Sequence, residues 1–300
     1  MRDLKKIEVG VLNITTHPHS PEKYLQLFQD ALAMKRVSVY RGSDHLTFGA
    51  FSGIGEAEKI DGIWGVFYIF VNIDTTGPVL NITNGEPIVS KEGEVTFPVP
   101  DNLKPNLKRV DFVFFPRGHR LFFSTKTTPL GTEQPRQVSA RVFASALYRL
   151  LNHPDLFEKY GEVNVYTENK SEIIADILRI PSLTKLNITI TLPNDDDVSQ
   201  QMERLAQKYK SEKIKNVQHN LTGYKEDGLA PDEETQAMMQ LASSNGRVTA
   251  IGWRGEERVE ISTTDHPEIL KTVYAPATES KLQALARIAK ESLAKFTGKK

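Results

Sequence analysis

The stretch that most restricts the fold is VDFVFFPRGHRLFFSTKT, Val110 to Thr127. Strand residues alternate between faces, and here both faces are apolar. Phe112 and Phe114 oppose Val113 and Phe115, and beyond the turn Leu121 and Phe123 oppose Phe122. Such a hairpin needs cover on both sides, which predicts an interior pair of strands in a layered protein. Pro116 suits the second position of a type I turn and Gly118 the fourth, where φ is free to be positive. Arg117, His119 and Arg120 are then expected at the sheet rim.

Around this hairpin, strand and helix patterns alternate. KIEVGVLNIT reads as a strand over Ile7–Thr15, and Ser20 and Pro21 open a helix with a stripe of Tyr24, Leu27, Phe28, Ala31 and Leu32. Strands are expected over Val37–Tyr40, His45–Phe51 and Trp64–Ile73, then a Gly/Pro/Asn-rich surface excursion over Thr75–Pro105. A helix over Arg136–Leu151 closes the first half, and Asn152–Gly161 reads as a boundary. The second half reads strand (VNVYTE), helix (Ser171–Arg179), strand with clean alternation (LTKLNITITLP) and helix (Asp195–Lys210). A strand (VQHNLTGY) and a helix ending at Asn245–Gly246 follow. VTAIGW, RVEIST and LKTVYA are further strands, and Thr278 is the expected cap of a final helix on Leu282, Leu285, Ala289, Leu293 and Phe296. The expected fold is mixed α+β, mostly antiparallel sheets with helices packed on one face. Two associated subdomains are expected, at 1–155 and 156–300, because 300 residues exceed what one core usually needs.

Charge excludes one class of function. Basic and acidic residues balance at 38 each, so the chain does not coat nucleic acid by bulk charge. Between Asp101 and Leu150, however, nine basic residues meet three acidic ones, a local excess of +6. Lys104, Lys108, Arg117, His119, Arg120, Arg136, Arg141 and Arg149 are the candidate contacts for a phosphate backbone, DNA or RNA. With no cysteine, disulfides, thiolate metal sites and Cys nucleophiles are excluded. The longest apolar run, Gly62–Ile73, is too short to span a bilayer, and the first residues lack a signal-peptide pattern. A cytoplasmic, non-membrane protein is expected.

Other motifs carry little chemistry. The acidic NDDDVSQQ (Asn194–Gln201) suits a helix start, where carboxylates cap free N–H groups. HPHS (His17, His19) lacks a third metal ligand. HLT (His45–Thr47) is half of a paired His-x-Thr phosphoesterase signature without its second half. STTDHPE (Ser262–Glu268) reads as a strand end and turn, since triads assemble in space and not in sequence. GAFSGIGE (Gly49–Glu56) lacks the helix a phosphate loop requires, and Met238 and Met239 read as core or interface. No cofactor, metal or catalytic residue is expected.

Four blocks in order, IEVGVLNITTHP, DNLKPNLKRVDFVFFPRGHRLFF, PDEETQAMMQLASSNG and ISTTDHP, resemble a large bacterial and prophage family of domains of unknown function. The likeness runs from about Lys6 to Pro267, and the recurrent words fall on Lys104, Pro105, Asn106, His119, Arg120 and Asn245–Gly246. A looser likeness, in the order of elements alone, is to the DNA-binding component of the lambda-phage Rex exclusion system. The local basic excess carries the expectation of a nucleic-acid-binding protein, and the looser likeness adds the setting of a phage-defence or regulatory system. Two alternatives stand beside it. One is a protein-interaction subunit that uses the final helix, with a neighbouring gene's product or a second copy as partner. The other is a metal-independent nuclease or phosphoesterase using His119 or His45.

Overall fold

The computed structural model describes residues 4–18, 20–52, 62–72, 79–81, 83, 85–89, 100, 102–130, 134–191 and 200–297. His19, the second half of GAFSGIGE, most of the 75–105 excursion, and Asn194–Ser199 of the acidic cluster lie outside them.

The larger of two main sheets contains eight strands. They are β1 (Lys5–Thr16), β2 (Val37–Arg41), β3 (Asp44–Ser52), β4 (Ile63–Val71), β7 (Lys108–Phe115), β8 (Arg120–Ser124), β9 (Val163–Thr167) and β14 (Ile269–Tyr274). The order is β14-β1-β8-β7-β4-β3-β2, all antiparallel. The long β1 holds β14 along residues 5–10 and β9 along residues 12–16. A separate ribbon pairs β5 (Val79–Asn81) with β6 (Glu86–Ile88).

The two-faced hairpin is covered on both sides, as its alternation requires. On one face Phe112, Phe114, Leu121 and Phe123 pack with α1 (Pro21–Ala33) and α2 (Ala140–Leu151) through Tyr24, Phe28, Phe143 and Leu147. On the other, Val9, Val11, Val113 and Phe122 meet Leu285, Ile288 and Ala289 of α7 (Lys281–Phe296). The larger sheet therefore carries helices on both faces. Full burial of each such aromatic is worth about 1.5–3 kcal/mol.

The smaller sheet, order β11-β10-β12-β13, is antiparallel and built from β10 (Ser182–Thr191), β11 (Asn216–Thr222), β12 (Gly246–Arg254) and β13 (Glu257–Ser262). Its apolar face packs on α4 (Ile173–Leu178), α5 (Gln200–Ser211) and α6 (Glu233–Asn245), with Met238 and Met239 in the core. Sheet membership does not divide at residue 155. β9, β14 and α7 all join the larger sheet, so α4 to β13 form an insertion between β9 and β14.

Local chemistry shifts several expected boundaries. The second helix starts at Ala140, because Ser139 caps it while Gln137 still bridges to Lys126 in extended form. Asn152–Gly161 contains a short helix, α3 (Pro154–Tyr160). Ser280, not Thr278, caps α7, in a reciprocal capping box with Gln283. Among the described residues no helix is long and apolar enough to cross a membrane.

Candidate nucleic-acid interface

The eight basic-patch candidates do not form one surface. The hairpin turn and the start of β7 lie at opposite ends of an eight-residue strand, roughly 24 Å apart at about 3.4 Å per residue. Of the turn residues only Arg117 is exposed. The expected rim position of His119 and Arg120 is corrected: both are buried, His119 at 0% and Arg120 at 1% exposure. The turn does form, with the Gly118 N–H donating to the Phe115 carbonyl at 3.1 Å. Positive φ falls on His119 (55°) and not on Gly118. A Cβ on Gly118 would lie 3.0 Å from Leu293 and Thr297, so its glycine serves the close approach of α7.

Arg120 anchors a buried polar node. Its Nε lies 2.6 Å from Glu168 Oε1, Nη1 donates to Asn13 Oδ1 at 2.9 Å, and Nη2 donates to the Phe296 carbonyl at 2.8 Å. Ser244 Oγ donates to Glu168 Oε2 at 2.8 Å, and Asn13 Nδ2 donates to Asn245 Oδ1 at 3.0 Å. This node ties β1 and β8 to the ends of α6 and α7. Its guanidinium is consumed internally and cannot meet a phosphate backbone.

Lys108 is likewise buried, its Nζ 2.8 Å from Asp44 Oδ2. Arg141 is exposed but pairs with Asp265 at 2.6 Å. Arg149 donates to the Val39 carbonyl at 2.5 Å and Lys104 to Asn72 Oδ1 at 3.0 Å. Lys104, Lys108 and Arg136 share a neighbourhood near the β2–β3 turn: Lys108 and Arg136 line one cavity, and Asn72, the Lys104 acceptor, bonds to Ser43. His45 rests on Phe70 and bonds the Ser43 carbonyl through Nδ1 at 2.9 Å. The final helix has turned its apolar stripe onto the larger sheet, so that stripe is not a docking face. No group of three His, Asp or Glu is placed to hold a metal among the described residues.

A different surface has the composition the patch lacked. One face of the smaller sheet is sealed by helices; the other is open. Alternation and register bring together Lys185, Asn187 and Thr189 of β10 with Gln218, Asn220 and Thr222 of β11. Across β12 and β13 the same face carries Arg247, Thr249, Ile251 and Trp253, then Arg258 and Glu260. Lys185 and Arg247 are exposed and have no carboxylate partner among the described residues, while Arg258 pairs with Glu260, the single acid, at 3.2 Å.

At one end of this face the loop after β11 is tied down. Gly223 N–H donates to the Thr184 carbonyl (2.9 Å), Leu229 N–H to the Leu183 carbonyl (2.6 Å) and Ser182 Oγ to the Lys225 carbonyl (2.6 Å). Lys225 Nζ is thereby held 3.9 Å above the Trp253 ring. Tyr224, on the same loop, is 79% exposed. The alternation of LTKLNITITLP marks Lys185, Asn187 and Thr189 as one face, but only the register of four strands shows which cations join them.

These features define a mixed α+β protein in which a larger, doubly covered sheet carries an inserted sheet with one open polar face. The chain belongs to the family described as Domain of unknown function (DUF4747), which matches residues 5–290. No curated protein matches it.

Proposed function

We propose that the protein binds single-stranded nucleic acid on the open face of the smaller sheet. The observation that carries this is the union, on one exposed antiparallel face, of unpaired Lys185 and Arg247, a row of amide and hydroxyl side chains, and an indole. Cationic side chains would follow the phosphates while a base takes the place of the Lys225 ammonium on the Trp253 ring, the combination by which single strands are held without sequence preference. The family resemblance suggests the setting we propose, a bacterial or prophage defence or regulatory system.

Fluorescence anisotropy with a labelled single-stranded oligonucleotide tests the reading. Trp253→Ala is expected to weaken binding by about 1–3 kcal/mol. Joint replacement of Lys185 and Arg247 by glutamine is expected to lower the slope of log K against log salt by about 1.4, two phosphate contacts at ~0.7 each. Arg117→Gln and Arg141→Gln, far from this face or already paired, should change nothing. Absence of binding by the unaltered protein, or loss through Arg117 and not through Trp253, would refute the assignment and favour a protein-interaction role.

A further inference from the structure

The β2–β3 turn, the start of β7 and the lead into α2 enclose a cavity of about 150 Å³, separate from the open face described above. Tyr40, Arg41, Asp44, Lys108, Arg136 and Ser139 line it. Three cations therefore face one carboxylate, and Asp44 is already engaged by Lys108 at 2.8 Å. Arg41 and Arg136 are exposed at its mouth and have no carboxylate partner among the described residues. Like charges that converge without compensation repel, unless an anion sits between them. The Tyr40 hydroxyl, pushed up to about 12 chiefly by burial, stays a neutral O–H donor at physiological pH. Its position beside Ser139, the cap of α2, places the site where a helix dipole also favours negative charge.

We propose that this cavity holds one phosphate group, clamped by Arg41 and Arg136 over the Lys108–Asp44 pair. Size permits the assignment: about 150 Å³ is roughly five times the ~30 Å³ share of a water in the liquid, enough for a tetrahedral oxyanion with accompanying water. Chemistry fits as well, because guanidinium groups offer forked N–H donors that match two phosphate oxygens at once. The phosphate could be free, or the terminal monoester of a polynucleotide; both present the same dianionic oxygens.

Thermal unfolding of the full chain with inorganic phosphate, against sodium chloride at equal ionic strength, tests the site. Phosphate is expected to raise the melting temperature saturably and chloride is not. Arg41→Gln and Arg136→Gln, both at exposed positions, should each weaken the apparent phosphate Kd by about ten- to a hundredfold, the worth of charge-assisted hydrogen bonds. Arg117→Gln should leave it unchanged. A second arm compares oligonucleotides bearing a 5′-phosphate or a 5′-hydroxyl. Preference for the phosphorylated end, lost in Arg136→Gln, identifies a polynucleotide terminus, whereas equal binding with an intact inorganic-phosphate response identifies a free phosphate or small ester. Equal stabilisation by chloride, or a phosphate response that survives both arginine substitutions, overturns the proposal.

Discussion

Arg120→Met is expected to destabilise the protein by about 3–5 kcal/mol, because it strands the Glu168 carboxylate in a site closed to water. The partners leave little room for rescue by solvent: Arg120 is 1% exposed and Glu168 3%. The substitution also removes the donors to Asn13 Oδ1 and to the Phe296 carbonyl. Arg120→Lys should recover only part of the loss, since one ammonium cannot replace a fork that reaches Glu168, Asn13, Gly118 and Phe296 together. The double variant Arg120→Met/Glu168→Leu should be more stable than Arg120→Met alone, because no unpaired charge then stays inside. Urea midpoints for the unaltered protein, Arg120→Met, Glu168→Leu and the double variant measure this coupling directly. A cost below about 1 kcal/mol for Arg120→Met would show that the guanidinium is solvated, and its return to the list of nucleic-acid contacts would follow.

That node also marks where sequence reading stops. The apolar alternation of the hairpin was sufficient to predict an interior pair, since Phe112 and Phe122 must face opposite layers whatever covers them. The same stretch misplaced Arg120. Its burial depends on Glu168, 48 residues away, and on the ends of two helices, none of which a local pattern reveals. A charge excess over fifty positions likewise says nothing about direction. Lys108 turns to Asp44 and Arg141 to Asp265, while Arg117 stays in solvent at the far end of the strand. The open face had the reverse fate. Alternation in β10 was visible in sequence, but its partners Arg247 and Trp253 come from a strand beyond two helices. The return of β14 and α7 to the larger sheet was hidden for the same reason: their stripes demand a surface without naming one.

Gly246→Ala is expected to cost about 3 kcal/mol or more, at or above the usual range for overpacking. A Cβ at this position would lie 1.9 Å from the Thr189 carbonyl oxygen and 2.9 Å from its carbon. Both obstacles are backbone, so no rotamer change clears them, and β12 must move off β10 at the Ile190–Gly246 pair. Gly255→Ala supplies the contrast. There φ is +63° but nothing lies within 4 Å of the added Cβ, so only left-handed strain is incurred, about 1–2 kcal/mol. Displacement at Gly246 also propagates to its neighbour Arg247, opposite Thr189 on the open face. Gly246→Ala should therefore weaken oligonucleotide binding as well as stability, whereas Gly255→Ala, in the β12–β13 turn, should affect stability alone. Equal costs for the two substitutions would mean that β10 and β12 do not approach each other this closely, and the register that assembles the open face would fail with them.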